Sequence, residues 1–315
     1  MDKQIRILVV DDLLTWREQI TRALQRGGFL VDAVSTPTEA LNRLETTLYH
    51  ILILDIRMDE NDLSNTDGIK LLKRLYHQKV TEAIKIIMLS GHGTEQQMRE
   101  AFRDYGVTDF LSKSHFNHQI ILEAVQRLFI ENTAINLALK VIWQQGDVRQ
   151  AVLNLKIGGN RVKSQMQAQM AEELEDLLCR LFKNAHSILV RPLIPGYSGA
   201  AVLSVQPFYE EVGTGRLLVV KFGSIKHIKL EHENFKKYVQ PFLEGGRNTT
   251  VVDVRYTPHL GGIIYSFLGA SQHKLSDFGT FYQQAKLPQI TKVLEWKRYY
   301  VNVSISAKLK DYRAN

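Results

Sequence analysis

The sequence predicts an α/β fold: a doubly wound parallel sheet of five strands, then a helical linker, then a smaller α+β domain. Three observations lead there. Short apolar runs without polar alternation recur through the first part, as in strands buried on both faces. Amphipathic stretches with apolar residues three or four apart separate them. The connections are short, which suits helices laid over both faces of a parallel sheet.

In chain order the strands are RILVVDD (6–12), FLVDAVS (29–35), HILILDI (50–56), KIIMLSG (85–91) and DFLSK (109–113). TEALNRLETTL (38–48) shows the helical spacing between two of them. Five such strands fit a flavodoxin-like sheet, whose ligands gather at the carboxyl ends of the strands. Residues 116–183 read as mostly helical, and HFNHQIILEAVQRLFI (115–130) closes the first domain. A stripe of Val162, Met166, Met170, Leu174, Leu177, Leu178 and Leu181 follows. It must pack on the next domain or on a copy of itself, so an intramolecular helix and a homodimer through the 161–183 helix both stand. KIGGNR (156–161) is the best linker candidate. From about 186 strands return as SILVRPL, AAVLSVQPF and GRLLVVKFG, then a helical KLEHENFKKYVQPFL, then TTVVDVRY and GGIIYSFLG; helices finish the chain. The expected domains are 1–130, a linker over 131–183, and 184–315.

A chain of 315 residues has room for about two cores. The single cysteine, Cys179, excludes an internal disulfide framework and a cysteine zinc site, and its apolar helical setting reads as a buried thiol. No apolar stretch reaches about 18 residues and the first residues run straight into a strand, so a cytoplasmic protein with no membrane partner is expected. The net charge of +7 is uneven: 16 basic against 18 acidic residues in 1–130, 7 against 6 in 131–183, and 17 against 9 in 184–315. The basic third could meet nucleic acid, nucleotide phosphates or an acidic partner, although its charges are scattered singly as on an ordinary solvated surface.

The aliphatic run Ile51–Leu54 stops at Asp55, and an unpaired buried carboxylate is costly. Asp11, Asp12 and Asp55 all stand at carboxyl ends of predicted strands, so neighbouring strands would bring them together. Like charges that close raise a pKa or recruit a cation, and oxygen ligands favour Mg²⁺. Ser90 and Lys113 end the fourth and fifth strands at the same rim. A metal, a hydroxyl and an ammonium around a carboxylate are the parts needed to receive a phosphoryl group.

Through VVDD, LILD, MLSG and DFLSK, residues 1–130 resemble the receiver domain of two-component response regulators. The resemblance implies that Asp55 is phosphorylated by a sensor histidine kinase or phosphotransfer protein. It implies that Asp11, Asp12, Asp55 and the backbone carbonyl of Arg57 hold Mg²⁺. Ser90 and Lys113 would grip the phosphoryl oxygens, with Phe110 turning inward as Ser90 is drawn toward them. Two departures stand out: Ser114 occupies the place of the family's proline, and the loop from Asp55 to Gly68 is several residues longer, with extra acids Asp59, Glu60 and Asp62. His92, beside the site, reads as a surface loop residue.

In the second half, PGYSGAAVLSV (195–205) is a glycine turn between strands, LLVVKFG places Lys221 on the next strand, and Glu231 lies in a helix. These features resemble the small lobe of protein-kinase-like and aminoglycoside-phosphotransferase-like folds. That resemblance implies ATP held by Gly196, Ser198, Gly199 and Lys221, with Glu231, or else Glu233, pairing the lysine. A plain β-hairpin with an exposed Lys221 fits the same residues. DFG at 277–279 comes too soon after the last strand and reads as chance, and no catalytic loop precedes it. No enzymatic turnover beyond receiver chemistry is therefore expected. The reading adopted is a phosphorelay regulator whose receiver switches the packing of the C-terminal domain. An ATP-binding phosphotransferase-like protein is the alternative. A DNA-binding regulator is a further one, against which stands the lack of a legible helix-turn-helix after residue 130.

Overall fold

A computed structural model describes residues 4–59, 61–62, 64–91, 95–128, 135–153, 155–157, 160–162, 164–193, 200–242, 250–266 and 286–288. Two compact units are distinguished, Met1–Gly269 and Ala270–Asn315, and every element named below belongs to the first. Gly196, Ser198, Gly199, His92, the DFG tripeptide and the helices expected to finish the chain lie outside the described residues, apart from a short helical piece at 287–288.

Strands β1 (Arg6–Val10), β2 (Leu30–Val34), β3 (Ile51–Asp55), β4 (Lys85–Ser90) and β5 (Asp109–Ser112) form a parallel sheet in the order β2-β1-β3-β4-β5. Alternate side chains leave opposite faces of a strand, so each face of this sheet needs its own cover. Ile7, Val9, Ile51, Ile53, Ile87 and Leu89 pack under α1 (Leu14–Arg26) and α5 (His118–Leu128). Leu8, Val10, Leu52, Leu54 and Met88 pack with α2 (Pro37–Thr46), α3 (Asp67–His77) and Ala101 of α4 (Glu95–Tyr105). This is the doubly wound sheet expected from the apolar runs. Local chemistry agrees with it: Thr36 caps α2 by accepting the Glu39 amide, Pro37 opens the helix, and Glu39 accepts the Ser35 amide in return.

The segment read as a helical linker is built differently. It opens with β6 (Lys140–Trp143), a strand that pairs in parallel with β9 (Ser187–Leu193). Then come the short α6 (Val148–Val152), capped by Asp147, and α7 (Ser164–Leu181). KIGGNR is no free linker, because β7 (Lys156–Ile157) and β8 (Asn160–Arg161) within it pair antiparallel. A four-residue strand inside helix-favouring neighbours leaves too short a period to be read. The tertiary pairing with β9 determines it.

The rest of the second sheet comes from β10 (Ala201–Tyr209), β11 (Gly213–Thr214), β12 (Leu218–Ser224), β13 (Val251–Tyr256) and β14 (Leu260–Ser266). Its order is β13-β14-β12-β10-β9-β6, with β11 on β10. Between β12 and β13 the chain forms α8 (Ile225–Asn234), a π-helical turn at Phe235–Val239 and a 3-10 turn at Gln240–Phe242. Helix α7 fills the core of this half: Met170, Leu174, Leu177, Leu178, Cys179 and Leu181 are buried with Ile188, Val190, Leu203, Phe222 and Ile264. Cys179 is the buried thiol expected. The apolar stripe is thus covered within the chain. A homodimer through the 161–183 helix would need that same stripe, and it is already taken.

Candidate functional site

Three carboxylates meet at the carboxyl rim of the first sheet. One ligand oxygen each from Asp11, Asp12 and Asp55 lies within 4.8 Å of the others. They converge because β1 and β3 are hydrogen-bonded neighbours that end together, Val10 opposite Leu54. Asp11 is 1 % exposed and Asp55 4 %, so neither charge is relieved by bulk water. Lys113, in a 3-10 turn just after β5, places Nζ 2.7 Å from both Asp11 Oδ2 and Asp55 Oδ2. One ammonium against three carboxylates leaves an excess of negative charge, which is the physical reason a divalent cation fits.

The titration of these groups reflects the same contest. Burial pushes Asp55 up to about 6 although Lys113 pulls the other way. Burial likewise raises Asp11 against the opposing pull of Lys113. For Lys113, burial would lower the pKa, but Asp55 and then Asp11 outweigh it and the net shift is upward. The Asp11 Oδ1 atom also accepts the Leu13 amide at 3.0 Å, which fixes its rotamer.

Ser90, ending β4 beside β3, is buried at the same rim. Phe110 on β5 is half-buried against the core on the α2–α4 side. Arg57 lies two residues beyond Asp55 and is half-buried. Ser114 sits inside the turn, its hydroxyl 2.7 Å from that of Ser112 and 3.0 Å from His115 Nδ1, and Lys113 reaches both carboxylates with serine in that place. In the long loop, Asp59 accepts the Asn61 amide and Asp62 accepts the Ser64 amide and hydroxyl. Those two acids therefore hold the loop's own turns; Glu60 lies outside the described residues.

Three residues of the site were not singled out from the sequence. Arg17, on the first turn of α1, donates to the carbonyls of Asp11 at 2.8 Å and Asp12 at 2.7 Å, clamping the acidic loop. Trp16 presents its ring 5.2 Å from Lys113 Nζ, a cation–π contact that confines the ammonium. A Cβ at Gly68 would lie 1.8 Å from the Asp55 carbonyl oxygen, so only glycine lets the loop return over the acceptor strand. The glycine three residues after an Asx-rich loop was a usable signal for the last; the other two become visible only once the start of α1 is placed against the loop after β1 and the turn after β5.

In the second half, Lys221 of β12 pairs with Glu231 of α8 at 2.5 Å, and Glu231 also accepts the Tyr265 hydroxyl at 2.8 Å. The lysine side chain is 22 % exposed, which corrects the reading of an exposed hairpin residue, and Glu231, not Glu233, is its partner.

Residues 7–126 match the response regulator receiver domain family, and residues 185–295 match ternary complex associated domain 9. Fold, rim and match together define the class: the first part of this chain is a response regulator receiver domain. Among curated relatives, the phosphate regulon transcriptional regulatory protein PhoB of Pseudomonas aeruginosa is 32% identical over 127 residues, covering 38% of this chain and 51% of that protein. The transcriptional regulatory protein ResD of Bacillus subtilis is 28% identical over 119 residues, covering 38% and 46%. The solved CheY-like receiver domain protein from Methanospirillum hungatei is 22% identical, covers 41% of this chain and 96% of that one, and has a TM-score of 0.36. The chain spans between about a quarter and a half of the length of the curated relatives it matches. Among the described residues, no helix is long and apolar enough to cross a membrane.

Proposed function

We propose that the chain is a two-component response regulator in which Asp55 accepts a phosphoryl group from a sensor histidine kinase or phosphotransfer protein. The observation that carries this reading is the approach of Lys113 to Asp11 and Asp55 at 2.7 Å each, with Asp12 completing the acidic cluster. An Asp55 carboxylate oxygen attacks the phosphorus; the new O–P bond replaces the N–P bond of the donor, whose imidazole leaves and is protonated. Lys113 neutralises the transferred oxygens, and the Ser90 hydroxyl, at the same rim, is the donor for another. The carboxylates of Asp11, Asp12 and Asp55, with the Arg57 carbonyl, are the groups that would hold Mg²⁺, a hard cation that an all-oxygen donor set suits. Bound there, the ion supplies charge neutralisation to the phosphoryl oxygens.

The test is incubation with acetyl phosphate and Mg²⁺, read by intact mass. Wild type should gain one phosphoryl group, Asp55→Asn none, and Lys113→Ala should label at least about tenfold more slowly, as loss of one preorganised charge contact implies. A label of equal extent on Asp55→Asn would refute the assignment.

A second reading concerns the C-terminal half. The half-buried Lys221–Glu231 pair and the antiparallel order β9-β10-β12-β14-β13, with α8 between β12 and β13 in the chain, support a kinase-small-lobe-like arrangement. On this reading Lys221 contacts nucleotide phosphates. Calorimetric titration with ATP and Mg²⁺ checks it: binding that is lost in Lys221→Ala supports the reading, and no heat in wild type removes it.

A further inference from the structure

Helix α7 has two faces. Its apolar stripe belongs to the C-terminal core, and its polar stripe of Gln169, Glu172, Asp176 and Arg180 meets the receiver. All of these contacts fall at or near the amino edge of the first sheet, the edge opposite the acidic rim. Gln169 donates to the Glu45 carbonyl at 3.1 Å, and Arg6, the first residue of β1, pairs with Glu172 at 3.2 Å. His50, just before β3, lies 3.2 Å from Asp176 through Nε2. Its Nδ1 accepts the Arg6 amide at 3.0 Å, so the ring is the neutral tautomer with its proton on Nε2, donated to Asp176. Arg180 binds Asp176 at 2.6 Å and donates to the Ala83 carbonyl, just before β4, at 2.9 Å. From the other side, Lys229 of α8 pairs with Glu82 at 2.5 Å.

This seam is polar and incompletely satisfied. His50, Asp176 and Arg180 are all buried, and Arg180 Nη2 has no hydrogen-bond partner among the described residues. A cleft of about 480 Å³ opens in it between Leu30, Leu48 and His50 on the receiver side and Ala168, Ala171 and Glu175 of α7. Buried donors left unpaired and space left unfilled cost stability that an apolar, close-packed seam would not. Such a contact is poised to open. The strands also connect it to the acceptor: β3 runs from Ile51, next to His50, to Asp55, and β4 from Lys85, two residues after Ala83, to Ser90.

We propose that the His50–Asp176–Arg180 cluster is a latch between the receiver and α7 that phosphorylation of Asp55 weakens. The proposal rests on the receiver reading above and names the contact through which that site regulates the C-terminal half. Ser90 and Lys113 close on the phosphoryl group at one end of β4 and β5, and the displacement of β3 and β4 is felt at the other end by hydrogen bonds that already lack one partner. Linkage makes the effect reciprocal: a broken latch must favour the phosphorylated form by the same factor.

The test uses the full chain with Mg²⁺ and beryllium fluoride as the phosphoryl stand-in. Binding is followed by the fluorescence of Trp16, whose ring faces Lys113, with Asp55→Asn as the control for the other tryptophans. His50→Gln and Arg180→Gln should each lower the half-saturating concentration at least about fivefold. In wild type, beryllium fluoride should speed amide exchange over residues 80–85. Unchanged or weaker binding in a folded variant would overturn the latch and leave the receiver reading intact. No response of wild type would remove the receiver reading and the latch with it. If Arg180→Gln fails to fold, as judged by circular dichroism, His50→Gln decides.

Discussion

Lys113 shows how much of the site is legible residue by residue. An acid at the end of a wholly aliphatic run needs a reason, and that need pointed to Asp55, then to Asp11, Asp12 and Lys113 at the ends of other strands. The structure brings the three acids and the lysine together. Arg17, Trp16 and Gly68 escaped because their roles depend on packing between elements: an arginine on an amphipathic helix looks like a solvated charge until the carbonyls it clamps are in place. Gly68 carries a direct prediction. In Gly68→Ala the methyl group meets the backbone of Asp55, so the loop or the acceptor strand must shift. The variant should lose roughly 1–3 kcal/mol in urea denaturation, as overpacked sites do, and bind Mg²⁺ more weakly than wild type by fluorescence titration. Wild-type stability and affinity in this variant would show that the loop yields freely.

Helix α7 is the element on which reading by pattern reached furthest and still stopped short. Its apolar period was plain, and so was the need for a partner, but periodicity does not say whether the partner is another domain or another chain. The answer came from β6, a four-residue strand with no readable period, which joins the second sheet beside β9 and closes the core over the helix. Leu177 is fully buried there, its Cδ2 atom close to where a Cβ on Gly262 would stand. Leu177→Ala should cost about 2–5 kcal/mol of stability, read from the denaturation midpoint. A second anchor on α7 is Glu173, fully buried, which accepts the Thr257 hydroxyl at 2.6 Å and the His259 amide at 2.9 Å, and bonds His259 Nδ1 at 2.5 Å. Burial would lower the His259 pKa, but the hydrogen bond and charge of Glu173, with Glu45 adding to them, raise it. A raised folded pKa means this pairing contributes fully below the unfolded value near 6.5, and the contribution is lost as pH rises through the folded value. The stability gap between wild type and His259→Gln should therefore be wider at pH 6 than at pH 9; a gap independent of pH would exclude the charged pair.

At the scale of the whole molecule the two halves obey different rules. The receiver is held by alternating strand faces under five helices, an arrangement that binary pattern writes plainly into the chain. The second half is held by long-range pairing: β6 lies beside β9 although α6, a short hairpin and α7 intervene. Sequence order and spatial order diverge there, so the boundary drawn at 184 falls inside a core that reaches back to Ile135. Anyone dissecting the chain into fragments meets the consequence directly. A fragment beginning at 184 would leave behind the edge strand β6 and the helix α7 that packs against its sheet, baring Leu203, Phe222 and Ile264 to water. A division that kept the second core whole would have to fall before Ile135, and even there each severed piece would carry away one half of a buried hydrogen bond between His50 and Asp176.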